Sequence, residues 1–247
     1  MSSELLLLAG AGLVAGWINT LAGGGSVIAL PALIWGAGLA ADDANGTLRV
    51  AILAQNIVAV SRYRQRGVLT LGEVPWLPAL VGALGGAGLA VSLDAGAVKG
   101  LLSAALGLVA VTMLYNPIRV SSDSVELPRW IAPTALLCAG FYGGLVQAGV
   151  GFALLLALTR GYGQELAQAN VTKVALVLAY TLPATLVFAL SGHVRLEPGL
   201  ALGVGCGLGA WLAASVAMSD RGRRWTRITL AVAACLCVLK LLWSRGL

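Results

Sequence analysis

Two basic residues stand in stretches too apolar to hold a charge casually. Arg49 follows Asn45 by four positions in ANGTLRVAIL, and Lys173 follows Asn170 by three in ANVTKVALVL. On a helix each amide and its cation share a face. Asn56 and Tyr180, each seven residues past a cation, extend those faces by about two turns. Thr47 and Thr172 lie between. All ten acidic residues fall in or beside polar breaks, so no carboxylate is placed to neutralise either cation within an apolar run. Cations flanked by amides and hydroxyls suit an anion. The competing reading is that both long side chains snorkel to lipid headgroups.

Two glycine clusters repeat the theme. GWINTLAGGGSVIALP starts at Gly16 and GFYGGLVQAGVGFALL at Gly140. Three successive glycines disfavour continuous helix. Asn19, Thr20, Gly23, Gly24, Gly25 and Ser26 are therefore expected to form an unwound stretch whose amides, at a half-helix N-terminus, hold an oxyanion. In the second cluster, around Gly143, Gly144, Gly149 and Gly151, Gln147 is the polar member. Close helix packing through small residues is the alternative for both.

The elements that must position these residues follow from composition. The 247 residues are 59% hydrophobic and 11% charged, against roughly 25% charged in soluble domains. That much apolar chain needs a bilayer, where a spanning helix takes about 20 residues. Runs such as 101–114 are apolar on both faces, which excludes a barrel strand and leaves helices. Apolar segments lie near 5–38, 46–61, 74–93, 96–116, 130–158, 170–190, 196–217 and 226–243. The first and fifth are too long for one crossing, and each contains a glycine cluster midway.

Charge distribution turns those breaks into topology. With eight simple crossings, the loop of Arg62, Arg64 and Arg66 would face the side opposite that of Arg221, Arg223, Arg224 and Arg227. That violates the positive-inside rule. Splitting both long segments into hairpins puts these loops, with Arg119, Arg129 and Arg160, in the cytoplasm and both termini outside. The expected fold is an all-α polytopic membrane protein of two inverted repeats, residues 1–120 and 121–247. Each repeat has about five helical segments, the first two forming a broken-helix hairpin. The polar stretch 117–129 joins them. Whether the hairpins cross the bilayer or re-enter is open at this point.

Other function classes find little support. The net charge of +6 resides in short loops without interleaved aromatics, so nucleic acid is not an expected partner. Cys138, Cys206, Cys235 and Cys237 have no metal or disulfide spacing and read as buried small hydrophobes. His193, the lone histidine, is expected on an exterior loop without a partner, and Pro183 is placed to kink its span. Residues 1–8 lack a basic n-region and are read as mature protein. Hydrolase and Walker motifs are absent, so neither an enzyme nor an ATP-driven pump is expected, and no cofactor or metal is implied.

The two glycine motifs, with ANGTLRVAILAQNIVAVSRYRQRG in the first half and ANVTKVALVLAYTLPA in the second, resemble the TauE/SafE family of sulfite and organosulfonate exporters over essentially the whole chain. The resemblance implies a bacterial inner-membrane secondary carrier for sulfite, sulfonates or related anions. It also implies path residues Asn19, Thr20, Gly23 to Gly25, Asn45, Thr47, Arg49, Gln147, Asn170, Thr172 and Lys173. The second motif departs from the first at Gln147, Ala148 and Gly149, which puts a symmetric site in doubt. The expected partners are a small anionic substrate, the lipid bilayer and, as an option the sequence leaves open, a second copy in a homodimer. Rival readings are a non-transporting membrane accessory protein and a passive anion channel.

Overall fold

The computed structural model describes residues 3–69, 74–115, 128 and 130–216. The expected connector, apart from Pro128, and the segment 226–243 with the Arg221 to Arg227 loop lie outside the described residues. Among those described, all regular structure is helical: α1 (Ser3–Ala22), α2 (Ser26–Pro31), α3 (Ala41–Gln65), α4 (Leu77–Ser92), α5 (Ala95–Tyr115), α6 (Ile131–Val146), α7 (Val150–Leu156), α8 (Leu166–Leu190) and α9 (Leu196–Val216). A π-helical turn extends α2 (Ala32–Gly36) and another extends α7 (Ala157–Gly161). Within α1, α8 and α9 lie stretches long and apolar enough to cross a membrane. Helix α3 is as long as α8 but carries Asp42, Asp43, Arg49, Arg62 and Arg64.

Both long apolar segments break as hairpins. The second arm of each ends beside the start of the first: Gly36 faces Leu8, and Gly161 lies against Ala132. At 1.5 Å per residue these second arms are about 16 to 18 Å long, well short of a hydrocarbon core of about 30 Å. Each hairpin therefore doubles back, its second arm ending level with the start of the first and its tip lying inside the protein. Asn19 and Thr20, expected to be unwound, are instead in the last turn of α1, because the Gly23 amide still donates to Asn19 O at 2.9 Å. Only residues 23 to 25 leave the helix.

Helices α3 and α8 begin four to five residues before the apolar runs do. In α3 the reason is electrostatic. Asp42 and Asp43 occupy the first turn, where carboxylates complement the exposed amides. The early start places Asn45 and Arg49, and likewise Asn170 and Lys173, below the helix ends.

Glycines set the crossings. Gly12 and Gly16 of α1 pack against Gly205 and Gly209 of α9 so closely that a Cβ on Gly16 would overlap Cys206 O. Gly82 and Gly86 of α4 meet Gly140 and Gly144 of α6 in the same manner. Small-xxx-small faces let backbones touch where lipid gives no hydrophobic drive to associate. The contacts also give directions. Gly12 lies by Leu202 and Gly209 by Trp17, so α1 and α9 run parallel, as do α4 and α6. Helices α3 and α8 run antiparallel, Tyr63 meeting Asn170 at one end and Gly46 meeting Phe188 at the other.

Candidate functional site

The hairpin tips touch. Gly23, at a φ of 90°, lies so close to the Gly151 backbone that a Cβ on it would come within 2.8 Å of Gly151 Cα. Only glycine supplies both the left-handed conformation and the space. The Gly149 amide donates to Ser26 Oγ at 3.1 Å, joining the tips by a hydrogen bond.

Each tip is held by a buried cation, the first by Lys173 of α8 and the second by Arg49 of α3. Lys173 Nζ donates to Asn19 O at 3.2 Å and Thr20 O at 3.5 Å, and to Asn170 Oδ1 at 2.6 Å. Asn170 Nδ2 adds a bond to Thr20 O at 2.8 Å. Arg49 Nη1 donates to Gly143 O at 3.2 Å and to Gln147 Oε1 at 3.4 Å, and Nη2 donates to Gly144 O. Asn45 Nδ2 donates to Leu145 O at 2.8 Å. These carbonyls belong to the last turns of α1 and α6, where acceptors outnumber amides and cations are favoured. Asn19 O and Gly143 O each also accept a backbone amide, from Gly23 and Gln147, so at those two oxygens the cation adds a second bond. Snorkelling is thus overturned. Arg49 is 0% and Lys173 2% exposed, and both turn inward because the broken helix ends supply acceptors that lipid cannot.

Antiparallel packing of α3 and α8 redistributes the expected polar columns. Asn56, deep in α3, lies beside Lys173 in a small cavity, while Tyr180, deep in α8, lies beside Arg49 and Gly143. The cavity, about 10 Å³, is lined by Asn19, Ser26, Gln55, Asn56, Gln147 and Lys173 with Ile52, Val150, Gly151, Val174 and Val177. That is room for about one water molecule. Arg49 does not line it. The cations therefore hold separate positions and do not share a centre, with Gln147 between them.

Three expected residues fall elsewhere. Thr47 accepts from the Arg195 amide at 2.9 Å, toward the α8–α9 loop. Thr172 is buried with no partner for Oγ1 among the described residues, and Thr20 likewise contributes its carbonyl while Oγ1 is unpartnered. Gln55, overlooked in the sequence, accepts from Asn19 Nδ2 at 3.2 Å and faces the cavity. Its signal was available: a buried amide adjacent to Asn56 in mid-span.

His193 also departs from expectation. Its Nδ1 lies 3.5 Å from Asp42 and 3.1 Å from Asp43, and Arg195 pairs with Asp43 at 2.7 Å. The α8–α9 loop folds onto the start of α3 because Gly46 lets His193 O approach its backbone. The three ligand-type atoms of Asp42, Asp43 and His193 lie within 4.8 Å of one another. Arg195 already supplies a positive charge there, so the cluster is an ion-pair clasp.

Apolar helices, with hairpins that double back and meet tip to tip around a polar pocket, are the architecture of a polytopic membrane protein. The chain belongs to the sulfite exporter TauE/SafE family, whose profile matches residues 8–241. It is 27% identical over 251 residues to the probable membrane transporter protein YfcA of Escherichia coli K12, covering 99% of this chain and 92% of that one. It is 28% identical to the probable membrane transporter protein ORF9 of a Sinorhizobium species, over 94% of this chain and 90% of the relative. A probable membrane transporter protein of Haemophilus influenzae is 24% identical, with 98% and 96% covered. No solved structure matches the chain. The family and these relatives make it a membrane transporter with a small-molecule substrate.

Proposed function

We propose that the protein is a secondary carrier for a small sulfur-containing anion such as sulfite or a sulfonate, bound between the glycine-broken hairpins. The observation that carries this reading is the polar cavity at the touching tips, where Lys173 sits among the amides of Asn19, Gln55, Asn56 and Gln147. Arg49 adds a second positive charge behind Gln147, and no acidic side chain lines the cavity. Cations and amide donors without carboxylates favour an oxyanion over a cation. The matching family description names sulfite, which fits that chemistry.

Two inverted repeats divided near residue 120 explain the helix directions. Helix α1 runs against its counterpart α6, α3 against α8 and α4 against α9, and the glycine contacts of α1 with α9 repeat those of α4 with α6. In such a fold alternating access is a rocking of one half against the other around a central site. A cavity of about 10 Å³ cannot hold sulfite, so the conformation described is closed and the halves must separate at the tips to load. That supports a carrier over a passive channel. By the positive-inside rule the termini lie outside the cytoplasm, and the membrane is the inner one that the family resemblance implies.

Purified protein in liposomes tests the reading. Sulfite flux should saturate with concentration and fall at least about tenfold in Lys173→Gln, the loss expected when one charged contact of about 1.4 kcal/mol is removed. Unsaturable flux would indicate a channel, and no flux of any anion from folded protein would indicate an accessory role. For the orientation, a cysteine placed between Arg221 and Arg227 should react only from the cytoplasmic side. Labelling from outside would overturn the inverted arrangement.

A further inference from the structure

We propose that the two buried cations have different tasks: Lys173 meets the charge of the anion, whereas Arg49 is a positioning residue that acts through Gln147, the residue that selects among anions. This rests on the anion-carrier reading above and assigns roles within it. Lys173 lines the cavity. Its longest-range contacts, at 3.2 and 3.5 Å to Asn19 O and Thr20 O, leave the 2.6 Å bond to Asn170 as its firm anchor. An ammonium so held can turn toward a bound oxyanion while keeping that anchor, since it has three donors.

Arg49 is placed differently. Its guanidinium lies 4.2 Å from the Phe188 ring centre and donates to Gly143 O, Gly144 O and Gln147 Oε1. A planar fork with that many fixed partners is a brace. What it braces is unusual. Gln147 has a φ of 50°, the sole positive φ at a non-glycine position among the described residues. Its amide is fixed at both ends, Oε1 by Arg49 and Nε2 by donation to Thr181 Oγ1 at 3.3 Å. Long side chains rarely hold a left-handed backbone unless their surroundings impose it, and such residues cluster at ligand sites. Gln147 is also the cavity residue that touches Arg49, so it is the route by which Arg49 reaches the substrate.

Charge and shape then separate experimentally. Sulfite and methanesulfonate are the probes, assayed with the full chain in proteoliposomes. In assays on the acid side of the second ionisation of sulfurous acid, where both probes are monoanions, Lys173→Gln should raise KM for both by a similar factor of about tenfold or more, because each carries the charge it answers. Gln147→Gly suits the backbone angle and should change the ratio of the two KM values by about tenfold, since both anions present three oxygens and only methanesulfonate adds a methyl group that the held amide must accommodate. Arg49→Lys should move that ratio in the same direction. The Arg49→Lys, Gln147→Gly double variant should lose no more than Gln147→Gly alone. The division of tasks fails if Arg49→Lys raises both KM values alike, as Lys173→Gln does, or if the double variant is additive. Should Arg49→Lys not yield folded protein, Gln147→Gly decides, an unchanged ratio overturning the proposal. Wild-type protein that moves neither probe would instead overturn the carrier reading on which the proposal stands.

Discussion

The two hairpin tips solve one problem with different residues. Each ends a helix in the protein interior and turns back. Each presents carbonyls to a buried cation, Lys173 of α8 at the first tip and Arg49 of α3 at the second. The first tip is Gly23, Gly24 and Gly25, with no side chains. The second is Gln147, Ala148 and Gly149, and places an amide where the first has only backbone. Both Gly23 and Gln147 take positive φ, 90° and 50°. The bare tip is therefore the one that allows contact with its neighbour, through Gly151. The substituted tip is the one to which we assign chemical selectivity.

The largest effect should come from giving the first tip a side chain. Gly23→Val forces a β-branched residue into the left-handed region, costing about 1 to 2 kcal/mol, and drives its Cβ into Gly151, costing about 1 to 3 kcal/mol more. Thermal unfolding in detergent should show a loss of at least about 2 kcal/mol on the same accounting, with sulfite flux abolished. Gln147→Gly should alter stability by less than about 1 kcal/mol, because relief of backbone strain offsets the lost hydrogen bonds. Equal destabilisation by the two changes would mean that the tips are alike and that Gln147 is structural.

A second contrast lies in the asparagines that accompany the cations. Asn170 has three partners, donating to Thr20 O and to Tyr63 Oη and accepting from Lys173. Asn45 donates to Leu145 O while its Oδ1 has no partner among the described residues. Asn170→Ala should cost about 2 to 3 kcal/mol, because it also leaves a buried charge short of an acceptor. Asn45→Ala should cost about 1 kcal/mol, the value of one ordinary bond. Chemical unfolding of both variants in one detergent checks the order, and a larger loss for Asn45→Ala would break it.

Much of this was readable from residue types. The hairpins were legible because apolar segments too long for one crossing each held glycines midway, and the positive-inside argument required both to split. The polar pairs Asn45 with Arg49 and Asn170 with Lys173 were legible from helical spacing. What the spacing could not give was their partners. Carbonyl acceptors at a broken helix end carry no side-chain signature, so Gly143 and Gly144, open to either a site or a packing reading, could not be seen to serve Arg49 through their oxygens. The exchange of Asn56 and Tyr180 between the two cations needed the antiparallel contact of α3 with α8, a property of the folded pair. His193 was misjudged for a similar reason, since Asp42 and Asp43 lie some 150 positions away.

The smallest effect should fall at that clasp. Asp43 joins Arg195 at 2.7 Å and His193 at 3.1 Å, but the Arg195 side chain is 55% exposed. Its charge is therefore shared with solvent and counterions, unlike that of Arg49. Asp43→Asn should cost about 0.2 to 1 kcal/mol at low ionic strength, and the difference from wild type should shrink at about 1 M salt, where the Debye length is about 3 Å. Arg49→Lys should show no such salt dependence, because ions do not reach a fully buried guanidinium. Thermal unfolding at two salt concentrations makes the comparison. A salt-insensitive loss of about 3 kcal/mol or more in Asp43→Asn would put the clasp in the same class as the buried network, and the start of α3 would then be fixed from the loop as firmly as from the tip.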